Sequence, residues 1–290
     1  MIGTFHTPVM VDEVRAALRP VAGRGTFVDA TLGGGGHACA LIEEMSGSMA
    51  QGTLLGIDVD REAIAAARQR LELAGFVVDK ADDEGLVMVR KTASGSCPVV
   101  WLVRANYVEL AAVVRRLELL PVAAVLFDLG VSLHQLVTPE RGFSFDRDGP
   151  IDMRFDQSSG KATALSLLRR ASEPELRRWL ADFGQEPRSR RIARAIHERR
   201  HELRTTQDIA TIVRRIAGGR MVRKTLARVF QAIRIVTNQE LEAVRRGLQS
   251  ALDVLTPGGR LAVIAYHSGE DRIAKEFLRE GSRSGRLRVV

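Results

Sequence analysis

The chain has 290 residues, of which 45% are hydrophobic and 27% are charged, and its net charge is +8. These proportions are ordinary for a soluble folded protein, and the sequence shows neither a secretory signal nor the ~18 consecutive apolar residues of a membrane span. Only two cysteines, Cys39 and Cys97, are present, which argues against a disulfide framework and a cysteine-based metal site. We therefore expect a cytoplasmic protein with no membrane partner and no metal.

The positive charge is concentrated in one part of the chain. Residues 161–235 carry 19 Lys and Arg against 7 Asp and Glu. The positive charge of this segment is larger than the net charge of the whole chain, so the remainder is mildly acidic. A segment of this kind attracts a polyanion, and the phosphate backbone of a nucleic acid is the first candidate. The alternative is a set of solvated, arginine-rich helix faces.

The first 75 residues predict a nucleotide-binding α/β unit. After a helix at 9–18, an apolar run at 26–30 breaks into four glycines at 33–36 and a helix at 37–45. A second strand at 53–60 contains Asp58, 25 residues after Gly33, and a helix follows at 61–74. A strand, a glycine turn, a helix and then an acid that meets ribose hydroxyls form the pattern of a nucleotide site. This pattern alone leaves NAD and S-adenosylmethionine open.

The rest of the chain continues the alternation and then interrupts it. We predict a β-hairpin from 86–89 and 99–103 whose second arm is the third core strand, an acidic surface turn at 79–84, a turn at 93–98, a helix at 106–119 and a strand at 122–128 ending in Asp128. A long loop at 129–156 precedes helices at 163–202, 206–217 and 227–255. A turn at 256–259, a strand at 260–266, a helix at 272–279 and a short strand at 287–290 complete the prediction.

This order predicts an α/β fold, a doubly wound, mostly parallel sheet with an inserted all-helical domain. We place the first part of the sheet domain at residues 1–136, the inserted basic helical substrate-binding domain at 137–235, and the second part of the sheet domain at 236–290.

Nine motifs in matching order resemble one family across nearly the whole chain. The run from Gly142 to Arg154 is the most specific of them, whereas the glycine turn alone is unspecific. The chain resembles the ribosomal RNA small-subunit methyltransferase H family, also called MraW. The motifs lie at 6–9, 29–37, 57–60, 128–135, 140–145, 148–154, 191–196, 230–240 and 257–272.

The resemblance implies a class I S-adenosylmethionine-dependent methyltransferase. Such an enzyme methylates the exocyclic N4 amine of a cytidine at the decoding centre of 16S rRNA, with the small ribosomal subunit as its partner. Carried over by position, the cofactor contacts are Gly35, Gly36, His37, Asp58, Tyr107, Asp128 and Gln135.

We assign catalysis to Asp128, because an acceptor for the N4 hydrogen helps the amine lone pair turn toward the methyl group. The expected substrate contacts are Asp152, Arg154, Arg190, Arg194 and His267. Plainer roles stay open: a helix cap for His37, core packing for Tyr107, a loop-backbone bond for Gln135, a turn cap for Asp128, a loop salt bridge for Asp152 and Arg154, and a satisfied core position for His267.

Three departures from the family pattern bear on function. The link at 77–104 is longer than usual, the sequences VSLHQL and HSGEDR replace VSSPQL and HSLEDR, and the segment after the last helix is short. Two other classes remain as alternatives: a nicotinamide-dependent oxidoreductase, and a non-catalytic RNA-binding ribosome-assembly factor. The sequence is compatible with a monomer and with a homodimer.

Overall fold

The computed structural model describes residues 8–22, 24–48, 52–82, 86–91 and 98–290. Several predicted features lie outside the described residues: His6 and Thr7 of the first motif, Cys97, the end of the predicted acidic turn (83 and 84) and most of the predicted turn at 93–98. The chain divides into a sheet unit, Met1–Gly130 with Leu241–Val290, and a helical unit, Val131–Glu240. The helical unit begins before, and ends after, the segment 137–235 that the sequence predicts.

The sheet unit contains seven strands in the order β3-β4-β5-β2-β1-β6-β7. Five neighbouring strands pair in parallel, in the order β5, β2, β1, β6 and β7. Strands β3 and β4 add two antiparallel strands at one edge. The predicted doubly wound, mostly parallel α/β fold is therefore confirmed. The strands are β1 (Thr26–Asp29), β2 (Thr53–Asp58), β3 (Phe76–Ala81), β4 (Leu86–Lys91), β5 (Val99–Arg104), β6 (Val122–Asp128) and β7 (Leu255–Ile264).

Buried apolar faces explain why these elements form. In β6 every residue before Asp128 is buried, as expected for a strand covered on both faces. The helices are α1 (Val11–Leu18), α2 (Gly36–Ser48), α3 (Arg61–Leu73), α4 (Leu110–Arg116), α5 (Leu133–Val137), α6 (Ala164–Arg170), α7 (Glu173–Arg178), α8 (Ser189–Glu198), α9 (Thr206–Ala217), α10 (Val222–Asn238), α11 (Glu240–Leu252) and α12 (Ser268–Arg283). No helix within the described ranges has both the length and the apolar character needed to cross a bilayer.

The strand order creates a switch point between β1 and β6. The four strands that follow β1 in the chain, β2 to β5, all lie on one side of it in the sheet. The chain then returns and places β6 on the other side of β1. In open parallel sheets, ligands bind beyond the carboxyl ends of the strands at such a point. Asp29 and Asp128 end these two strands.

Three predictions for the sheet unit are wrong. The acidic turn does not include Asp79, which lies in β3, an edge strand whose mixed exposed and buried residues gave no clear alternation. The turn at 256–259 lies inside β7, because Leu255 already pairs with Val122 before the register shifts and Arg260 pairs with Ala124. Residues 287–290 form no strand, and the Leu287 amide instead donates to the Gly281 carbonyl.

The helical unit has its own apolar core, to which Leu168, Ile192, Ile209 and Val229 contribute. The single helix predicted at 163–202 is divided into α6, α7 and α8. A capping box at Ser172 starts α7, and a π-helical turn at Trp179–Phe183 precedes the break before α8. The predicted loop at 129–156 also contains the short helix α5 and a 3-10 turn at Pro139–Arg141.

Candidate active site

The turn after β1 depends on glycine. Gly33 and Gly35 have φ angles of +50° and +75°, which strain any residue with a Cβ. A Cβ on Gly35 would lie 3.1 Å from the Cβ of Ala67 on α3, so this helix packs directly against the turn. The turn therefore presents main chain at the mouth of the switch point, as the predicted contacts Gly35 and Gly36 require.

Asp58 fixes the glycine turn from the end of β2. Its Oδ2 accepts a hydrogen bond from the Gly33 amide at 2.8 Å, and its Oδ1 accepts one from the Asp60 amide at 2.9 Å. Burial raises the pKa of Asp58 to about 6, against the lowering effect of these amides. Each carboxylate oxygen has a second lone pair, so the group has the capacity to accept ribose hydroxyls as well.

Four side chains meet at the carboxyl ends of the central strands, and we call Asp29, His37, Asp128 and Tyr266 the strand-end cluster. The Asp128 amide donates to Oγ1 of Thr31 at 2.6 Å. Its Oδ1 accepts from the Tyr266 hydroxyl at 2.9 Å, and its Oδ2 lies 3.4 Å from His37 Nε2. The Asp128 carboxylate is thus held from two sides.

Three of the four side chains in the strand-end cluster have raised pKa values. Asp29 is 1% exposed, and its Oδ2 has no hydrogen-bond partner among the described residues. Burial raises the pKa of Asp29 to about 7, although His37 opposes the rise. Burial also disfavours a charged His37, but the hydrogen bond with Asp128 and the charge of Asp29 outweigh it and raise the pKa of that imidazole. Burial and the charge of Asp128 raise the pKa of Tyr266, which keeps the phenol a donor.

Tyr107 follows β5 and packs its ring inward. It meets Phe127 edge to face, with ring centroids 5.6 Å apart at 85°. A Cβ on Gly247 of α11 would lie 2.5 Å from the Tyr107 ring, so this glycine makes room for it. The ring is half-buried, which agrees with a packing role, and a contact with adenine stays a prediction.

His267 caps a helix. Its Nδ1 accepts from the amides of Gly269 and Glu270 at 3.1 and 3.4 Å, and its Nε2 lies 3.3 Å from Glu270 Oε1. The Nδ1 contacts cap α12, whereas Nε2 is buried and has no hydrogen-bond partner among the described residues. The cap agrees with a structural position for His267, and a substrate contact stays a prediction.

In the helical unit, Gln135 belongs to a capping box. Its side-chain Oε1 accepts a hydrogen bond from the Ser132 backbone amide at 3.1 Å, while the Gln135 backbone amide donates to Ser132 Oγ at 3.2 Å. The side chain is therefore used by the local backbone at the start of α5. A role for Gln135 toward the cofactor stays a prediction.

Asp152 and Arg154 pair with each other. Two hydrogen bonds of 2.7 Å join their side chains, and Arg154 also donates to the Lys161 carbonyl at 3.1 Å. Burial would raise the pKa of Asp152, but the hydrogen bonds from Arg154 outweigh it and lower that pKa. Both side chains thus have the contacts of a loop salt bridge.

We call residues 139–157 the signature loop, and contacts within the helical unit hold the rest of it in place. Buried Arg141 donates to the Phe155 carbonyl at 2.8 Å. Asn238 of α10 accepts from the Phe155 amide at 2.8 Å and donates to the Met153 carbonyl at 2.7 Å. Two glycines of the signature loop let one stretch of backbone lie close to another. A Cβ on Gly142 or on Gly149 would overlap a main-chain carbonyl oxygen.

Arg190 and Arg194 both lie on the exposed face of α8. Arg194 Nε donates to Glu198 Oε1 at 2.8 Å, one turn along the same helix. Arg190 lines an open cavity of about 700 Å³ with Arg177 and Arg178, and the carboxylates of Glu173 and Asp182 line it as well. The arginines outnumber the acids there, and contacts of Arg190 and Arg194 with RNA stay predictions.

The structure thus brings His37 and Asp128 together and ties Asp58 to the glycine turn, while their contacts with a cofactor stay predictions. Sequence reasoning missed Asp29, Thr31 and Tyr266 as parts of the same site. Tyr266 ends the strand predicted at 260–266, and Asp29 lies one residue before the end of the run predicted at 26–30, so the strand-end position that indicated Asp128 could have indicated both.

Comparisons with known proteins agree with this geometry. A family model described as the MraW methylase family matches residues 3–288. Three similar proteins each bear the name ribosomal RNA small subunit methyltransferase H. The protein from Chlorobium chlorochromatii is 41% identical over 94% of this chain and 80% of its own length. The proteins from Chlorobium phaeovibrioides and Thermomicrobium roseum are 43% and 40% identical, each over 96% of this chain, and over 80% and 78% of their own lengths. The chain therefore belongs to the MraW methylase family.

Proposed function

We propose that this protein transfers a methyl group from S-adenosylmethionine to the N4 amine of a cytidine in 16S rRNA, at the decoding centre of the small ribosomal subunit. The observation that carries the proposal is the Asp128 carboxylate, anchored by Tyr266 and faced by His37 at the switch point of the sheet. The names of the relatives support the choice of small-subunit rRNA as substrate.

The residues at the switch point fit S-adenosylmethionine. Gly35, Gly36 and the His37 backbone offer main chain to its methionine end, and Asp58 offers acceptors to its ribose. The nearby carboxylates of Asp29 and Asp128 suit a ligand with a positively charged sulfonium. When bound, this cofactor supplies an electrophilic methyl group.

Asp128 then acts on the acceptor amine. The lone pair of a cytidine N4 amine is delocalised into the ring, so the amine is a poor nucleophile. A carboxylate that accepts one N–H hydrogen bond orients the amine and helps its lone pair turn out of conjugation. Positioning of this kind supplies much of the rate in an in-line displacement.

The same carboxylate balances the protons. As the new N–C bond forms and the C–S bond breaks, N4 becomes cationic and must release one proton. Asp128 is the acceptor next to it in this proposal, and the raised pKa of His37 lets the imidazole share a proton with that carboxylate. Proton acceptance by a positioned side chain contributes typically 10²–10⁴-fold to a rate, an order-of-magnitude range.

The substrate base must leave its stack to reach this site. We assign the surrounding phosphates to the basic helices of the helical unit, with Arg190 and Arg194 among the contacts. Electrostatic contacts of this kind hold RNA without reading its sequence.

The test is methyl transfer from labelled S-adenosylmethionine to purified small subunits that lack the modification, followed by nucleoside analysis. We expect label in N4-methylcytidine with the wild type and loss of label with Asp128→Asn. Asp79→Asn, on exposed strand β3, is the matched control and should transfer label normally. RNA binding without transfer by the wild type would contradict the proposal and favour the assembly-factor alternative. Tight binding of NAD without binding of S-adenosylmethionine would favour the oxidoreductase.

A further inference from the structure

Tyr266 is exposed and yet held in place. The residue is 51% exposed, although its hydroxyl donates to Asp128 Oδ1 at 2.9 Å. Its backbone amide donates to Glu270 Oε2 at 3.0 Å, which fixes the chain between β7 and α12. A Cβ on Gly130 would lie 3.2 Å from the ring, so the ring rests against the backbone beyond β6.

A fixed aromatic ring with one open face is a surface for stacking. Every base has a π-face, and enzymes that act on an extruded base commonly hold it by stacking on aromatic side chains. Binding to a ring that is already immobilised avoids much of the entropy cost of ordering it. Exposure and rigidity at one residue thus suit a ligand that is flat.

Other aromatic side chains near the strand ends of the sheet unit are less suited to this role. Phe127 is fully buried, and Tyr107 packs edge to face on Phe127 and against Gly247. Tyr266 combines an exposed ring with a direct bond to the carboxylate that we assign to catalysis.

We infer that the exposed face of the Tyr266 ring stacks on the target pyrimidine and delivers its amine to Asp128. The inference rests on the proposed function and deepens it. A base lies about 3.5 Å above a ring on which it stacks. If the base is displaced along the ring so that its amine edge extends past the phenol oxygen toward Asp128, the amine can approach the same carboxylate that the phenol contacts. The ring face supplies binding, and the hydroxyl sets the ring's orientation.

Three substitutions separate the ring from the hydroxyl. Tyr266→Leu removes the stacking face and should lower kcat/KM for unmodified small subunits about ten- to hundredfold, the effect of one lost base stack. Tyr266→Phe keeps the face and loses only the tether, so we expect a loss of about two- to threefold. Tyr266→Trp keeps a larger face without the hydroxyl and should stay closer to Tyr266→Phe than to Tyr266→Leu.

Cofactor affinity is measured for each variant by calorimetry, and a thermal melt reports folding. We expect the Kd for S-adenosylmethionine to stay within about twofold of wild type, because the ring contacts the base and not the cofactor. Wild-type kcat/KM in Tyr266→Leu, or equal losses in Tyr266→Phe and Tyr266→Leu, would overturn the inference. A weaker cofactor Kd in Tyr266→Leu would assign the ring to the cofactor and overturn it too. Absence of transfer by the wild type would instead refute the proposed function.

Discussion

The strand-end cluster and the signature loop differ in how their buried carboxylates are satisfied. In the signature loop, Asp152 and Arg154 pair through two bonds of 2.7 Å, and buried Arg141 binds a backbone carbonyl. In the strand-end cluster, Asp29 keeps a buried oxygen without a partner among the described residues, and the pKa values of Asp29 and His37 are raised. A buried carboxylate oxygen without a hydrogen-bond partner costs stability, and a buried acid with a raised pKa is a candidate for a functional site.

The region with the most specific sequence motif is not the region that we assign to the chemistry. The signature loop provides the most specific motif of the sequence, yet its described contacts mainly hold the loop together. The glycine turn and its neighbours are the less specific motif, and they surround Asp29, His37 and Asp58, whose pKa values are raised, whereas the pKa of Asp152 in the signature loop is lowered. The specificity of a motif and the chemistry of its contacts are therefore separate observations, and our proposal that the strand-end cluster carries out the reaction rests on the second.

The largest expected effect comes from Asp128→Asn. The amide keeps the shape but loses the negative charge that receives the amine proton, so the single-turnover rate of methyl transfer should fall about 1,000-fold. Cofactor affinity and melting temperature should change little. A variant that retains a tenth of the wild-type rate would remove Asp128 from the chemistry and weaken the contrast between the two regions.

Asp152→Asn should have the opposite profile. Its loss breaks a largely buried ion pair, and the free energy of unfolding should fall by about 2 kcal/mol in urea denaturation. The Kd for S-adenosylmethionine should not change. Asp146→Asn is the matched control in the same loop, because its pair with Arg223 is exposed and should contribute less than about 1 kcal/mol. Equal losses for both variants would show that burial is not what distinguishes the Asp152 pair.

The strand-end cluster should also make stability depend on pH. Asp29 has a pKa of about 7 in the folded protein and 3.8 as its reference value, so the folded state retains the proton longer than the unfolded chain as pH rises. Stability from this group is present below about pH 4 and is lost as the pH rises toward 7. The raised pKa of His37 extends the loss beyond its ordinary 6.5.

Asp29→Asn removes this titration. Between pH 4 and pH 8, the free energy of unfolding of the variant should rise relative to wild type by roughly 2–4 kcal/mol. Urea denaturation at both pH values measures the difference. A constant difference between variant and wild type would mean that burial does not hold the proton on Asp29.

The smallest expected effect distinguishes two arginines of α8. Arg190→Gln should weaken binding of small-subunit RNA about threefold and reduce the slope of log K against log salt by about one. Arg194→Gln should do less, because Arg194 is already paired with Glu198. Filter binding across a salt series measures both slopes. Unchanged slopes would exclude this face of α8 from the RNA interface.

Much of the sheet was predictable because its central strands are short apolar runs that stop at an acid. Burial on both faces requires such runs, and β1, β2 and β6 follow this rule. Strand β3 escaped prediction because an edge strand needs no continuous apolar run, and its residues are mostly exposed. The interruption inside β7 escaped because proline and glycine mark a turn equally well between strands and within one.

The candidate site was predictable only where a known sequence spacing links the partners. Asp58 and the glycine turn are linked by a familiar spacing, and the bond from Gly33 to Asp58 agrees with it. Tyr266 and Asp128 are 138 residues apart, and only the pairing of β6 with β7 brings them together. The role of Asp29 was also beyond prediction from the sequence, because its raised pKa arises from burial that the surrounding sheet creates.

The glycines of the signature loop have a genetic consequence. When a new side chain collides with another side chain, a second substitution elsewhere can shorten the obstacle and restore the fold. At Gly142 and Gly149 the obstacles are the main-chain carbonyl oxygens of Pro150 and Pro139, and every residue type carries that oxygen. Selection for revertants of an alanine at either position should therefore return glycine itself, and suppressors at the facing residue should not arise.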